Sequence, residues 1–159
     1  MTLSGLDLPG AVEPDVWFLA FYLRTSDPRL DRFIPGRFKH VSAFAYAPGV
    51  KCWLYYDVNL AGVTFLIFPH DSRQALINLS RGAAVVKLRK TQKRMPWHSR
   101  IGFYCVPAIQ HLLCLSGVAF TPTGLYRLVL RSGGELIATA DPPVADGPES
   151  RARAGAGQH

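Results

Sequence analysis

The sequence predicts an α+β domain in which an antiparallel sheet packs against a helix that begins near a cysteine. Three observations lead to this fold class: an early apolar run, three β-rich segments separated by turn residues, and a proline-marked helix after Cys105. The chain has 159 residues, of which 48% are hydrophobic and 18% charged. This length and composition are typical of one globular domain with a buried core, which we expect over residues 1–140.

The first half of the chain is mostly of strand type. Residues 16–23 form a continuous apolar and aromatic run, which is typical of a strand buried on both faces. Residues 26–34 predict a turn and a short helix, which Pro35 and Gly36 end. Three β-rich segments follow, and their spacing predicts an antiparallel meander. These segments are residues 38–46, 52–58 and 63–68.

A helix and another strand are predicted in the middle of the chain. Asp71 and Ser72 can cap a helix over residues 73–80. Residues 83–88 are apolar and β-branched, which favours a strand.

The last part of the domain is predicted to hold a helix, a short strand and a tail. Thr121 as the cap and Pro122 in the first turn predict a helix that runs to Gly133. Residues 135–140 follow as a short strand. Residues 141–159 are rich in Pro, Gly, Ala and charged residues and contain no large apolar side chain, so we expect a disordered tail there.

Cys105 is the first candidate functional residue. It follows the aromatic pair Phe103-Tyr104 and stands two positions before Pro107. Because proline is favoured in the first helical turn, Cys105 is expected at or just before the start of a helix, which Gly117 ends. Free backbone N–H groups and the helix dipole stabilise a thiolate at such a place. Cys105 is therefore either a small buried apolar residue or an activated nucleophile.

His40 and Asp57 can complete a nucleophilic site around this cysteine. Strand alternation places His40 and Ser42 on one face. If the turn at residues 48–49 closes a hairpin, antiparallel pairing brings His40 opposite Asp57 or Val58. Asp57 can then bind one imidazole nitrogen and leave the other facing the thiol, which is the arrangement of a nucleophile, its base and an orienting carboxylate. Asp57 can equally be an ordinary residue at a strand end.

Three short motifs occur in an informative order along the chain. They are Gly36-Arg-Phe-Lys-His40-Val-Ser-Ala-Phe on a strand, Tyr55-Tyr56-Asp57 on the next strand, and Phe103-Tyr104-Cys105-Val-Pro at a helix start. This order resembles the circularly permuted papain-like, NlpC-type cysteine peptidases and amidases, in small bacterial or bacteriophage members. The segment from Phe120 to Leu128 is similar to the one that follows the cysteine helix in small phage members. The resemblance implies Cys105 as nucleophile, His40 as base and Asp57 as the orienting residue.

Two functions of different classes stay open at this point. In the first, the protein is a thiol hydrolase, of peptidase, amidase or acyltransferase type, that cleaves a peptide or peptidoglycan-type amide without a cofactor. In the second, the same scaffold is a non-catalytic structural or binding module, for example in a phage particle. Fold resemblance alone does not decide between them.

A zinc site is a weaker alternative. His98, Cys105, His111 and Cys114 are possible ligands, and His111 and Cys114 share a helix face. No CxxC pair accompanies them, although structural zinc sites usually contain one. We therefore predict no metal.

Positive charge is concentrated in the second half of the chain. The formal net charge is +7, and no acidic residue lies between Asp71 and Glu135. The densest stretch predicts a basic loop after a strand, which attracts nucleic acid or an acidic protein, or is simply solvated. The basic residues of this stretch are Lys87, Arg89, Lys90, Lys93 and Arg94, and Arg100 follows shortly after it.

Composition also bears on location. No apolar run reaches the roughly 20 residues of a membrane-spanning helix, and residues 1–10 lack the features of a secretory signal. Three scattered cysteines do not make a disulfide framework. We expect a protein of the bacterial cytoplasm or of a phage virion.

If the basic stretch binds nucleic acid, its affinity will fall steeply with salt, because each phosphate contact releases counterions. Replacing Lys90, Lys93 and Arg94 together by glutamine should abolish binding to a labelled duplex in fluorescence anisotropy at low salt. Absence of binding by the unsubstituted protein at low salt would identify the stretch as a solvated loop.

Overall fold

A computed structural model describes residues 14–59, 61–90 and 104–140. Its secondary structure alternates between strands and short helices. The strands are β1 (Val16–Tyr22), β2 (His40–Ala47), β3 (Cys52–Asn59), β4 (Gly62–Pro69), β5 (Ala84–Arg89) and β6 (Glu135–Ala138). The helices are α1 (Pro28–Asp31), α2 (Arg73–Leu79), α3 (Cys105–Leu113) and α4 (Pro122–Arg131).

The strands form one antiparallel sheet in the order β4-β3-β2-β1-β5-β6. The predicted meander of β2, β3 and β4 and the predicted α+β class are confirmed. The sheet is larger than the meander, because β1 pairs with β2 on one side and with β5 on the other. β1 is therefore a central strand.

The sheet is covered on both faces, and β1 contributes to both cores. Leu19 and Phe21 of β1 lie in the core on the side of α3 and α4. Ala20 lies in a second core on the opposite face, together with Leu76 of α2. Alternate side chains of one strand thus enter two cores, so the predicted burial of residues 16–23 on both faces is confirmed.

Helix α3 packs on the sheet through the apolar face predicted from its spacing. Val106, Ile109 and Leu113 are buried in the same cluster as Val41 and Ala43 of β2. This packing holds α3 against β2. The helix carrying Cys105 and the strand carrying His40 therefore form one packed unit.

Two of the predicted helix ends differ from the structure. Ser72 is at the N-cap position of α2 but makes no side-chain capping hydrogen bond. Helix α3 ends before Gly117, because Cys114 adopts the left-handed conformation (φ 52°) and the Leu115 N–H donates to the Gln110 carbonyl. The cap of α4 is as predicted, since the Thr121 hydroxyl accepts from the Gly124 N–H.

Some expectations lie outside the described residues. These are the tail over residues 141–159 and the part of the basic stretch that contains Lys93, Arg94 and Arg100. None of the described helices has the length and apolar character needed to cross a membrane.

Truncation of Ile109 tests the packing of α3 on the sheet. Ile109 is 1% exposed, so Ile109→Ala leaves a cavity and should lower the free energy of unfolding by about 2–4 kcal/mol in urea denaturation. Val118 is 61% exposed, and Val118→Ala should change the free energy of unfolding by less than about 0.5 kcal/mol. Equal effects of the two substitutions would contradict the position of α3.

Candidate active site

The three residues singled out by the sequence meet at one end of the sheet. His40 is the first residue of β2, Asp57 lies near the end of β3 and Cys105 is the first residue of α3. All three line one cleft. Residues separated by up to 65 positions in the chain are brought together because β2 pairs with β3 and α3 packs against both strands.

The imidazole of His40 contacts both of its expected partners. Its Nε2 lies 2.6 Å from Asp57 Oδ1, a distance typical of a charge-assisted hydrogen bond. The Cys105 side chain lies close enough to interact with the same imidazole, and this interaction raises the pKa of His40. Because Nε2 is engaged by Asp57, Nδ1 is the nitrogen left for the thiol.

The surroundings of His40 favour its protonated form. Burial by itself lowers the pKa of His40, but the hydrogen bond to Asp57 and the electrostatic interactions with Asp57 and Cys105 outweigh that effect and raise the pKa from 6.5 to about 9. An imidazolium with a carboxylate on one side is therefore the favoured state at neutral pH.

The register between β2 and β3 differs from the predicted one. Asp57 pairs with Ser42, not with His40. The cause is the turn at residues 48–51, which is longer than the expected tight turn and has Lys51 in the left-handed region (φ 50°). Asp57 still reaches His40, because diagonal neighbours on adjacent strands share one face of the sheet.

The segment before His40 is fixed by α4. The Thr123 hydroxyl accepts a hydrogen bond of 2.8 Å from the Phe38 N–H. Gly36 has φ 92°, and a Cβ atom there would lie 2.5 Å from Thr123 Oγ1. Only glycine allows this close approach. Sequence analysis missed Thr123 as a residue that positions the histidine strand, because its contact with Phe38 joins two segments that are far apart in the chain.

Buried hydroxyl groups lie beside the His40–Asp57 pair. Tyr22 is paired with His40, and its ring centroid is 5.8 Å from that of the imidazole. The Tyr22 hydroxyl donates to the Leu79 carbonyl at 2.7 Å and lies 3.1 Å from Ser42 Oγ. Burial raises the pKa of Tyr22 far above its usual value and that of Tyr55 in the same direction, so both phenols stay neutral. Ser42 is fully buried in these contacts and is not available to a substrate.

The start of α3 offers free hydrogen-bond donors. The N–H groups of Cys105 and Val106 lie in the first turn, where no intrahelical acceptor exists. Pro107 has no N–H, and the Ala108 N–H is the first to bond within this turn, to the Tyr104 carbonyl at 3.2 Å. Two backbone donors thus lie at the nucleophile candidate, where negative charge is also favoured by the helix dipole.

The cleft beside Cys105 has a volume of about 730 Å³. This is within the usual range of small-molecule sites. Its walls come from the α1 region, from the ends of β2 and β3, and from the loop that leads into α4. Sequence analysis missed the aromatic residues at its rim, Phe33 and Phe120, because they lie in loops where no periodicity marks them.

The basic candidate residues that the structure describes do not line this cleft. Lys87 and Arg89 are part of β5 and not of a loop, because β1 and β6 extend the pairing of this strand. Lys87 makes an exposed ion pair of 3.8 Å with Glu135. Lys90 directly follows the strand, and its N–H donates to the Asp15 carbonyl. The remaining basic residues are outside the described ranges.

The zinc alternative gains no support from the described part of the chain. No group of three or more potential ligands is found there. His111 is exposed, whereas Cys114 is buried at the end of α3. His98 is not among the described residues.

Comparisons with protein-family models, with curated proteins and with solved structures gave no match to this chain.

Stability should depend on pH through His40. Folding raises the pKa of this group, so its contribution is complete below the unfolded value of 6.5 and is lost as the pH rises through about 9. The free energy of unfolding should therefore fall by about 1–3 kcal/mol between these limits, measured relative to His40→Gln. If the difference in unfolding free energy between the protein and His40→Gln stays constant or grows as the pH rises, the environment assigned to His40 is contradicted.

Proposed function

We propose that the protein is a thiol hydrolase that transfers an acyl group to Cys105 and then to water. The observation that carries this proposal is the position of His40, which bonds to Asp57 through Nε2 and shares one cleft with the Cys105 side chain that raises its pKa. A partly buried histidine held between a carboxylate and a thiol at an open cleft is the arrangement required to activate a sulfur nucleophile.

Asp57 and His40 have distinct roles in this mechanism. Asp57 is a positioning residue, which fixes the ring orientation and stabilises the positive charge of the imidazolium. His40 accepts the thiol proton, so the resting site is a thiolate–imidazolium pair. The cleft side of this pair is where the substrate carbonyl carbon must arrive.

Acylation begins with attack of the Cys105 sulfur on the carbonyl carbon, which forms a carbon–sulfur bond. The oxyanion that develops is stabilised by the N–H groups of Cys105 and Val106, because both are unpaired within the helix. His40 then gives its proton to the leaving group as the bond to the carbonyl carbon breaks.

Deacylation reverses the proton movements. Neutral His40 takes a proton from water, and the resulting hydroxide attacks the thioester carbonyl. The carbon–sulfur bond breaks, the acid is released and the thiolate–imidazolium pair is restored.

The proposal extends to a permuted papain-like arrangement of the fold. The support is that β2, with its histidine, precedes α3, with its cysteine, and that α3 packs against the antiparallel sheet of β2 and β3. Cys105 is also the first residue of its helix.

Alkylation tests whether Cys105 is activated. At about pH 6, well below the ~8.5 of a free thiol, iodoacetamide should label Cys105 ahead of Cys52 and Cys114 in peptide mass spectrometry. Cys52 is more exposed than Cys105, so preferential labelling of Cys105 would reflect reactivity and not access. Labelling of Cys52 first, with Cys105 inert, would favour the non-catalytic binding module.

Substitutions test the three roles. Cys105→Ala and His40→Ala should each lower kcat/KM for an activated ester by at least about 1000-fold, while Asp57→Ala should lower it about 10–100-fold, because it removes orientation but neither reacting group. Cys114→Ala is the matched control, since it changes a buried cysteine outside the cleft. Circular dichroism would show whether each variant is folded. Full activity of folded Cys105→Ala would exclude the proposal.

A further inference from the structure

Two phenylalanine rings stand exposed at the rim of the cleft. Phe33 is 69% exposed and Phe120 is 70% exposed, and both line the cavity that contains Cys105. Neither ring is on a loose end. The Arg32 guanidinium lies 4.9 Å from the Phe33 ring centroid, and the Tyr104 hydroxyl donates to the Phe120 carbonyl at 3.0 Å. Exposed apolar surface that borders a cleft is typical of a binding site.

Further apolar side chains line the same cleft. These side chains come from three parts of the fold, namely the α1 region, the end of β3 and the start of α4. They are Leu30, Ile34, Pro35, Val58, Ala61 and Pro122.

The polar side chains of the cleft, apart from the Cys105–His40–Asp57 group, mostly have partners within the chain. Their hydrogen bonds close local turns and caps and do not point to a ligand. The pairs are Thr25 with Asp31, Asp27 with the Arg29 N–H, Lys39 with the Ile34 carbonyl, Asn59 with the Ala61 N–H and Thr121 with the Gly124 N–H.

This distribution of polarity distinguishes between substrate classes. An extended peptide or a glycan needs donors and acceptors along its length, because each polar group that loses water without a partner costs about 1–3 kcal/mol. A hydrocarbon chain needs none and gains from covering the exposed rings.

We propose that the acyl group accepted by Cys105 is a medium or long aliphatic chain, bound in the cleft that Phe33 and Phe120 border. The inference rests on the proposed function and adds the substrate class to it. The substrate is then an ester or thioester of an aliphatic acid: the Cys105 thiolate displaces the alcohol or thiol, His40 protonates that leaving group, and water releases the fatty acid from the thioester.

A series of p-nitrophenyl esters tests the chain preference. The octanoate should give a kcat/KM at least about tenfold higher than the acetate, since each buried methylene contributes about 0.8 kcal/mol at most. Cys105→Ala supplies the background rate for each ester. Equal kcat/KM for acetate and octanoate would overturn the inference. Faster acylation of Cys105 by an apolar peptide p-nitroanilide than by the octanoate would overturn it in favour of a peptide.

Substitutions at the rim of the cleft test whether Phe33 and Phe120 cause the preference for the longer ester. Phe120→Ala and Phe33→Ala should each lower the ratio of kcat/KM for the octanoate to kcat/KM for the acetate about 3–10-fold. Phe65→Ala is the matched control, because Phe65 is 54% exposed on β4 and does not line the cleft. An equal loss with both esters in the rim variants would contradict a chain-binding role.

The two proposals fail in different ways. A Cys105 that is alkylated at low pH but shows no preference between the esters leaves the thiol hydrolase in place and removes the aliphatic substrate. An unreactive Cys105 with no ester hydrolysis above background removes both.

Discussion

The burial of β1 on both faces is the constraint on which the rest of the structure depends. Leu19 and Phe21 anchor the core under α3 and α4, and Ala20 belongs to the core under α2. Because β2 pairs with β1, the end of β1 at Tyr22 fixes the start of β2 at His40. The position of the histidine is therefore set by the central strand, and α3 then brings the cysteine to it by packing on the same sheet.

A buried titratable group is stable only when its charge is compensated. His40 meets this condition by contacts with Asp57 and Cys105, which together outweigh the cost of burial and favour the imidazolium. The neighbouring phenols of Tyr22 and Tyr55 remain neutral, so they add hydrogen bonds without competing charge. The apolar cleft reduces the screening of these charges by water, which strengthens their interaction at the point where a substrate would react.

Local sequence patterns predicted most elements but not the details that depend on distant contacts. The meander, the helix start at Cys105 and the Thr121 cap follow from turn residues, proline and apolar spacing, and all are confirmed. The predicted register of β2 with β3 was wrong. The conformation of the hairpin turn could not be assigned from the sequence, and this leaves the strand pairing uncertain by one or two positions. The predicted end of α3 at Gly117 was wrong, because Cys114 takes the left-handed conformation that a sequence pattern assigns to glycine.

The sequence by itself determined that the chain forms strands and helices in this order and that Cys105 begins a helix, because these depend on local backbone preferences and apolar spacing. Only the tertiary structure decided that His40 lies between Asp57 and Cys105, and that Phe33 and Phe120 border the same cleft. The reason is geometric. These residues belong to separate elements, and their distances are set by how the helices pack on the sheet, which no local pattern specifies.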